Sequence, residues 1–390
     1  MKIFKEFLLE EKNASIPHLR HLAGESHFYG SQETSDELNR LQELHKHLSG
    51  ENSKVESISM KADGSPSFNM GYVTDPTDND TKFGVAYKGA AKGYAFSHND
   101  VDRIFAGKEH LQSKMHQLLE HGHKVVRPHH GLIQGDFMGS KEDNTINEEG
   151  DKLHFQENTL KYGIDKKSDE GKALKKAKIS VALHTRIDPE HQKYNLDPNG
   201  FQQHEDVHVF NNRVTHDPNN YSDVNRKLFE NNFNKAKEHI SNIPNHNDLV
   251  FGMTDHLQTY INQTVSKDTT PTVQGFRQHV SDRLEKPIEK VKTPAAKERK
   301  REEKRVALQH IDENKQHFGT LFKAHKHLDT AKNLLTDALD QSPQTYEHEI
   351  KGNPSKPEGY VVKYKGSNSL DNVVKVVNRG EFSRHNFADE

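Results

Sequence analysis

Lys61 is the residue whose type and setting first suggest chemistry, standing in Lys61-Ala62-Asp63-Gly64-Ser65-Pro66. Before it, Ser57-Ile58-Ser59-Met60 alternates polar and apolar as a half-buried strand does, and Asp63-Gly64-Ser65-Pro66 is turn chemistry. A lysine where strand meets turn can point into a cleft. Confinement beside other cations would push its pKa down, because neighbouring positive charge and poor solvation both penalise the ammonium form. The product would be a neutral amine, a nucleophile. A surface lysine before a tight turn is the plainer alternative, and the rest of the chain has to decide between them.

The elements that must position Lys61 follow from periodicity. Residues 1–54 read as a helical segment, with Leu38, Leu41, Leu44 and Leu48 on one stripe and Ser49-Gly50 as its stop; this helix is expected to cover the sheet that follows. Residues 55–200 carry strand signals at Ser57 to Met60, Ser67 to Val73, Phe83 to Tyr87, Gly131 to Phe137 and Ile179 to His184, with a hairpin loop from Thr74 to Lys82 and a helix near Asp100 to His121. Residues 201–345 turn to asparagine, lysine and glutamate with leucines at helical intervals, such as Leu321, Phe322, His325, Leu328 and Leu334, Leu335, Leu339, and read as a large helical insertion. In residues 346–390 strand character returns at Glu358 to Lys365 and Asn372 to Asn378, where alternation buries valines and leaves Lys363 and Lys375 for the other face. The expected fold class is α+β, an antiparallel sheet with covering helices.

Composition narrows the function classes. The 390 residues are 31% hydrophobic and 29% charged, which suits a soluble chain with a packed core and a polar helical region. No apolar run reaches the length of a membrane span. The opening from Met1 to Glu11 has helical spacing and an acidic flank, so a docking helix is expected rather than a secretory signal. The absence of cysteine excludes disulfides and thiolate-bound zinc and fits a reducing cytoplasm. A net charge of −3 argues against a globally basic nucleic-acid coat while leaving room for a local basic groove. Of the 28 histidines, the pairs His18 and His21, His121 and His123, and His204 and His208 have ligand-like spacing. No convergent carboxylates accompany them, and dispersed surface histidine is the reading preferred.

The order of motifs resembles the covalent nucleotidyltransferase superfamily of polynucleotide ligases and mRNA capping enzymes. Lys61-Ala62-Asp63-Gly64 matches the family's KxDG nucleophile motif, and Ser65 after it is closer to phage RNA ligases than to DNA ligases. Leu132-Ile133-Gln134-Gly135-Asp136-Phe137 is similar to the apolar-x-Gly-Glu motif, with aspartate for glutamate. Ile179 to His184 lies where the family has a strand against the base, Glu358-Gly359-Tyr360-Val361-Val362-Lys363 matches EGxVxK, and Lys375 lies where the last basic motif falls. The resemblance implies an antiparallel nucleotidyltransferase core binding ATP and Mg²⁺. Asp63, Gly64, Ser65, Asp136, His184 and Gly359 would contact the nucleotide, and Lys61, Glu358, Lys363 and Lys375 would be catalytic.

The chemistry asks for the same types. Attack on an α-phosphorus needs a neutral amine, here Lys61, and cations on the phosphate oxygens, here Lys363 and Lys375, which would also lower the pKa of Lys61. Glu358 can coordinate Mg²⁺ or orient Lys61, Asp136 can accept from ribose hydroxyls, and Gly64 and Gly359 let backbone approach a nucleotide. Three departures from the family pattern stand out: Pro66 replaces a basic residue, Lys375 stands alone where paired lysines are common, and Leu183 and His184 replace a stacking aromatic. The stretch after Lys375 is expected to be too short for a C-terminal oligonucleotide-binding barrel. Lys297, Lys300, Arg301, Lys304 and Arg305 share a helix face, with the glutamates mostly elsewhere, and that face can track a phosphate backbone or be a solvated face held by intrahelical ion pairs. The resulting expectation is an ATP-dependent polynucleotide ligase of the cytoplasm (a host's, if phage-encoded), favouring RNA over DNA. Its rivals are a DNA ligase or capping guanylyltransferase on the same fold, and an inactive ligase-like structural or binding component of a phage, a source suggested by the Met1 to Glu10 opening.

Overall fold

The computed structural model describes residues 20–22, 26–88, 92–188, 193–196, 201, 204–366 and 370–377; the expected docking helix at Met1 to Glu11 and His18 lie outside them. In chain order the elements begin with β1 (Arg20–His21), α1 (Ser31–Leu48), β2 (Val55–Met60), β3 (Ser67–Thr74), β4 (Thr81–Tyr87), α2 (His98–Ile104), α3 (Glu109–His121) and β5 (Leu132–Ser140). There follow β6 (Ile146–Glu149), β7 (Lys152–Phe155), β8 (Lys161–Asp165), α4 (Asp169–Lys176), β9 (Ile179–Ile187), β10 (Lys193–Asn195) and β11 (Val207–Val209). The helical stretch holds α5 (Asp223–Ser241), α6 (His246–Val250), α7 (Thr254–Ser266), α8 (Val273–Lys290), α9 (Pro294–Glu313) and α10 (Lys315–Asp340). Last come β12 (Glu347–Ile350), β13 (Asn353–Ser355), β14 (Gly359–Tyr364) and β15 (Val373–Val377). The fold is α+β with largely antiparallel sheets, and no helix among the described residues is long and apolar enough to cross a membrane.

The chain divides into two units, and the boundaries differ from those expected. The sheet unit takes residues 56–215 and 342–373. Residues 201–215 therefore belong with the sheet and not with the insertion: among polar neighbours, Val207, Val209 and Phe210 are buried, and β11 pairs in parallel with β9. The main sheet runs β10-β9-β5-β3-β4, its hairpin registered by Met70↔Val85 and its centre by Met70↔Ile133. Phe68, Met70, Val85, Ile133, Phe137, Val181 and Leu183 cluster with Val101 and Ile104 of α2 and Met115 and Leu118 of α3. Each such side chain contributes about 1.5–3 kcal/mol when buried, so this face holds the unit together. The single helix expected from Asp100 to His121 is two, broken near Gly107, whose φ of +74° suits glycine.

A second sheet, β13-β12-β8-β7-β6, escaped sequence reading. Its strands are short and charged outside, with Glu148, Glu149, Lys152 and Lys161 diluting the alternation of Ile146, Leu153, Phe155, Tyr162 and Ile164. Beneath it Phe155 stacks on Tyr162 (5.0 Å between centroids) and Phe210 on Tyr346 (4.4 Å). His348 closes this aromatic cluster against Tyr162, with Nε2 2.8 Å from the Met60 sulfur.

The other unit takes the described residues within 1–55, 216–341 and 374–390. Here α1 packs on α5 and α10, so this helix belongs with the helical unit instead of covering the sheet. Of the expected stripe, Leu41, Leu44 and Leu48 are buried and Leu38 is half-buried. Phe276 and Val280 of α8, Ile311 of α9, and Phe318, Leu321 and Phe322 of α10 form the core. In this unit β15 pairs in parallel with β1, through His21↔Lys375.

Burial pushes the His348 imidazole down to about 4. An unfolded histidine takes up its proton near pH 6.5, so acid favours the unfolded chain from about pH 6.5 down to about pH 4, and above this window the effect vanishes. Replacing His348 with leucine should remove on the order of 3 kcal/mol of the stability lost between pH 7 and pH 4. Urea unfolding curves at the two pH values check this; an unchanged acid loss would show that His348 does not titrate on unfolding.

Candidate functional site

The turn carrying Lys61 is fastened from several sides within the sheet unit. Lys61 N–H donates to the Gly359 carbonyl (2.8 Å), tying the end of β2 to the start of its neighbour β14. Asp63 is buried, its Oδ1 accepting from Asn158 Nδ2 (2.7 Å) and its Oδ2 from Leu160 N–H (2.8 Å), while its own N–H donates to the Tyr162 hydroxyl (2.8 Å). Ser65 N–H donates to the Phe137 carbonyl (2.9 Å), and the Ser65 carbonyl accepts from Lys114 Nζ (3.1 Å), which is buried in an ion pair with Glu157. Asp63 and the Ser65 backbone are thus engaged in holding the turn. Gly64 is required by a different close approach from the one expected: a Cβ there would lie 2.5 Å from the Phe137 carbonyl oxygen. Gly359 has φ +156°, which side chains disfavour.

Lys61 Nζ forms an ion pair with Glu358, bringing together residues 297 apart in sequence. Beside them on β5 stands Asp136, hydrogen-bonded to the Ser67 hydroxyl across the β3–β5 pairing, with His184 Nε2 3.6 Å from its Oδ2. Burial alone would raise the Asp136 carboxyl; His184, the Ser67 hydroxyl and the charge of Lys61 outweigh it and hold the group below the usual carboxylate range. His184 reaches this position through a bulge. The register runs Gln134↔Thr185 and then Gly135↔Leu183, leaving His184 as the extra residue, re-aimed by the local twist.

The expected cations are arranged differently. Lys363 pairs with Glu56 (2.7 Å), and it lies four residues along β14 from Gly359, roughly 13 Å at the strand rise of ~3.3 Å per residue. The immediate partner of Lys61 is therefore a carboxylate and not the expected Lys363. Lys375 is half-buried on β15 and belongs to the other unit. Two lysines that sequence reading missed stand near Asp136. Lys88 N–H donates to the Ser67 carbonyl (3.0 Å), and its side chain has no carboxylate partner among the described residues. Lys193 Nζ donates to Gln134 Oε1 (3.3 Å), and burial followed by the charge of Lys88 pushes its pKa down. The strand signal ending at Tyr87 could have marked Lys88. No motif marks Lys193, which reaches Gln134 through the β9–β10 hairpin and the pairing of β9 with β5.

Among the described residues no group of three histidines, aspartates or glutamates is placed to hold a metal. Some of the histidines lie in the interior and not at the surface: His27, His45, His121, His154, His208, His246, His325 and His348 are buried. A flat ring with two polar nitrogens packs as an aromatic, as His45 does on Phe229 (4.2 Å, 7°). His208 of the pair His204 and His208 bridges Ser180 (2.7 Å) and Glu170 (2.9 Å) in the interior. On α9 the expected separation of charges fails as well. Lys300 pairs with Glu303, Arg301 with Glu298, Lys304 with Glu285 of α8, and Arg305 with Glu302. The face is held by ion pairs because i,i+3 spacing brings its glutamates back within reach.

A model of a family of unknown function (DUF6267) matches residues 16–390. No curated protein and no solved structure matches the chain.

The carboxylate that holds the turn offers a direct test. In Asp63→Asn one amide nitrogen must face the Leu160 N–H or the Asn158 amide, both donors, and a charge-assisted pair disappears. The variant should lose about 2–3 kcal/mol of stability. A shift of the urea midpoint at constant slope measures it, and a value within about 0.5 kcal/mol of wild type would mean that this carboxylate does not hold the turn.

Proposed function

The chain belongs to the family of unknown function DUF6267, and from its own residues we propose that it is an ATP-dependent polynucleotide ligase, favouring RNA, that works through a lysyl-AMP intermediate. The observation that carries this reading is the contact between Lys61 and Glu358, the first and third motifs of the resemblance, with Asp136 of the second beside them. In the proposed step Lys61 Nζ bonds to the α-phosphorus of ATP, the α–β bridging bond breaks, and pyrophosphate leaves. Glu358 takes up the proton that the ammonium must lose. Lys88 and Lys193 supply positive charge toward the phosphates, with Lys363 retained as a candidate, and Asp136 and His184 face the ribose and base. With no carboxylate cage among the described residues, Mg²⁺ enters as part of the nucleotide substrate, meeting at most Glu358. AMP then passes to a 5′-phosphate and a 3′-hydroxyl displaces it.

A second reading draws on the same ion pair. An ammonium paired with a carboxylate is not a nucleophile, which favours a ligase-like binding protein without catalysis. Incubation with α-labelled ATP or GTP and Mg²⁺ separates the two. Wild type should acquire covalent label from ATP, and Lys61→Ala should not; Lys61→Arg should fail as well, because guanidinium stays protonated. Label on the alanine variant excludes Lys61 as the nucleophile, label from GTP alone points to a guanylyltransferase, and no label on wild type favours the binding protein. Joining of nicked RNA and nicked DNA distinguishes the polynucleotide.

A further fold-change tests the lysines near Asp136. Lys88→Ala with Lys193→Ala should slow labelling by about 10² or more, the usual scale for losing charge aimed at a reacting phosphate. Unchanged rates would leave Lys88 and Lys193 outside the site.

A further inference from the structure

Two cross-helix ion pairs, Arg277–Asp312 and Glu285–Lys304, show α8 and α9 to be an antiparallel hairpin: the residue moves forward eight positions on one helix and back eight on the other. Only residues 291–293 connect them. Beyond the second bridge cations outnumber carboxylates. Lys286, Lys290, Lys292, Lys297 and Arg299 have no ion-pair partner among the described residues, and all but the half-buried Lys297 are exposed. From Lys286 to Arg301 the sequence holds Glu289 and Glu298 as its only acids, and Glu298 is committed to Arg301. The hairpin thus has a neutralised shaft and an uncompensated cationic end.

We propose that this end is a polynucleotide-binding surface that grips the phosphate backbone without reading bases. The proposal rests on the ligase reading for its choice of polyanion. The charge asks for an anionic polymer, because unpaired exposed cations gain most where many phosphates release condensed counterions. A lipid surface is disfavoured on different grounds. Interfacial helices set bulky apolar residues beside their lysines, whereas the exposed large apolar side chains are Tyr29, Tyr87, Val224 and Leu228, none of them at this end. Of the residues singled out from sequence, Lys304 and Arg305 lie on the shaft and Lys300 and Arg301 beyond the second bridge, all four already paired; of that set Lys297 alone has no ion-pair partner among the described residues.

The test compares the protein with two variants, Lys286→Glu/Lys290→Glu/Lys292→Glu at the end and Arg277→Gln/Arg305→Gln on the shaft. Each is titrated against a fluorescein-labelled 20-mer single-stranded RNA and a 20-bp DNA duplex at 50 to 200 mM salt, with circular dichroism to verify helix content. The end variant should bind at least ~10-fold more weakly at 50 mM salt, and the slope of log K against log salt should flatten by about 2, at ~0.7–0.9 for each phosphate that is no longer neutralised. The shaft variant should stay within about threefold of wild type. Unchanged binding and slope in the end variant, or equal losses in both variants, overturn the proposal; so does a wild type that binds phosphatidylserine vesicles and no polynucleotide. Covalent labelling with ATP is measured on the same samples. Loss of RNA binding in the end variant without any labelling of wild type upholds the surface and rejects the ligase, whereas labelling with undiminished RNA binding rejects the surface alone.

Discussion

Burial of the Asp63 carboxylate is the constraint on which the sheet unit's candidate site depends. A carboxylate in the interior is costly unless its lone pairs are taken up, and here the Asn158 side chain and the Leu160 N–H take both oxygens. The same segment runs on to Tyr162, whose hydroxyl accepts the Asp63 N–H and whose ring lies in the aromatic cluster of the second sheet. The turn after β2 therefore has its position set by a core, and Lys61, two residues before Asp63, inherits that rigidity. A lysine on a free loop would lose side-chain entropy on every encounter with a partner. One on a fastened turn has much of that cost met in folding.

Rigidity places the amine, and electrostatics governs its state. Glu358 is the ion-pair partner of Lys61, and the lowered Asp136 carboxyl keeps a second negative charge close by. The immediate surroundings of the amine are therefore acidic and not the cluster of cations that the motifs suggest. Under the proposed ligase reading, nucleotide phosphates would meet Lys88 and Lys193, and Lys61 would have to leave its ion pair with Glu358 to react.

Much of the main sheet was legible because its strands alternate cleanly: Ser67 to Val73, Phe83 to Tyr87 and Ile179 to His184 fall on β3, β4 and β9. Legibility failed where charge masked the period, as at β6, β7 and β8, and where a short strand such as β11 forms only by pairing with a distant one. Within the site, Lys61, Asp136, His184 and Glu358 were named from their motifs and do converge. The bulge that turns His184 inward, and the β10 pairing that brings Lys193 to Gln134, depend on register, which no local spacing encodes. Asp63 was read as facing a ligand because a motif records which residue recurs and not which way it points.

The basic helix exposes a related error in physical terms. Charge on a helix face is a sequence property, but potential at that face depends on which carboxylates the fold returns to it. Three of the expected cations are matched by glutamates of their own helix at i,i+3, and Lys304 is matched by Glu285 from the neighbouring helix, a pairing that no wheel of α9 alone contains. Exposed pairs of this kind add little stability, about 0–1 kcal/mol each, yet each leaves only a dipole, whose field falls off faster with distance than that of a lone charge. Net charge is silent on this point as well: 55 basic and 58 acidic side chains sum to −3 whether they are mixed or segregated. Segregation arises where, as on either side of the 291–293 connection, the lysines and arginines outnumber the acids within their reach, and the potential there stays positive although the chain's net charge is negative.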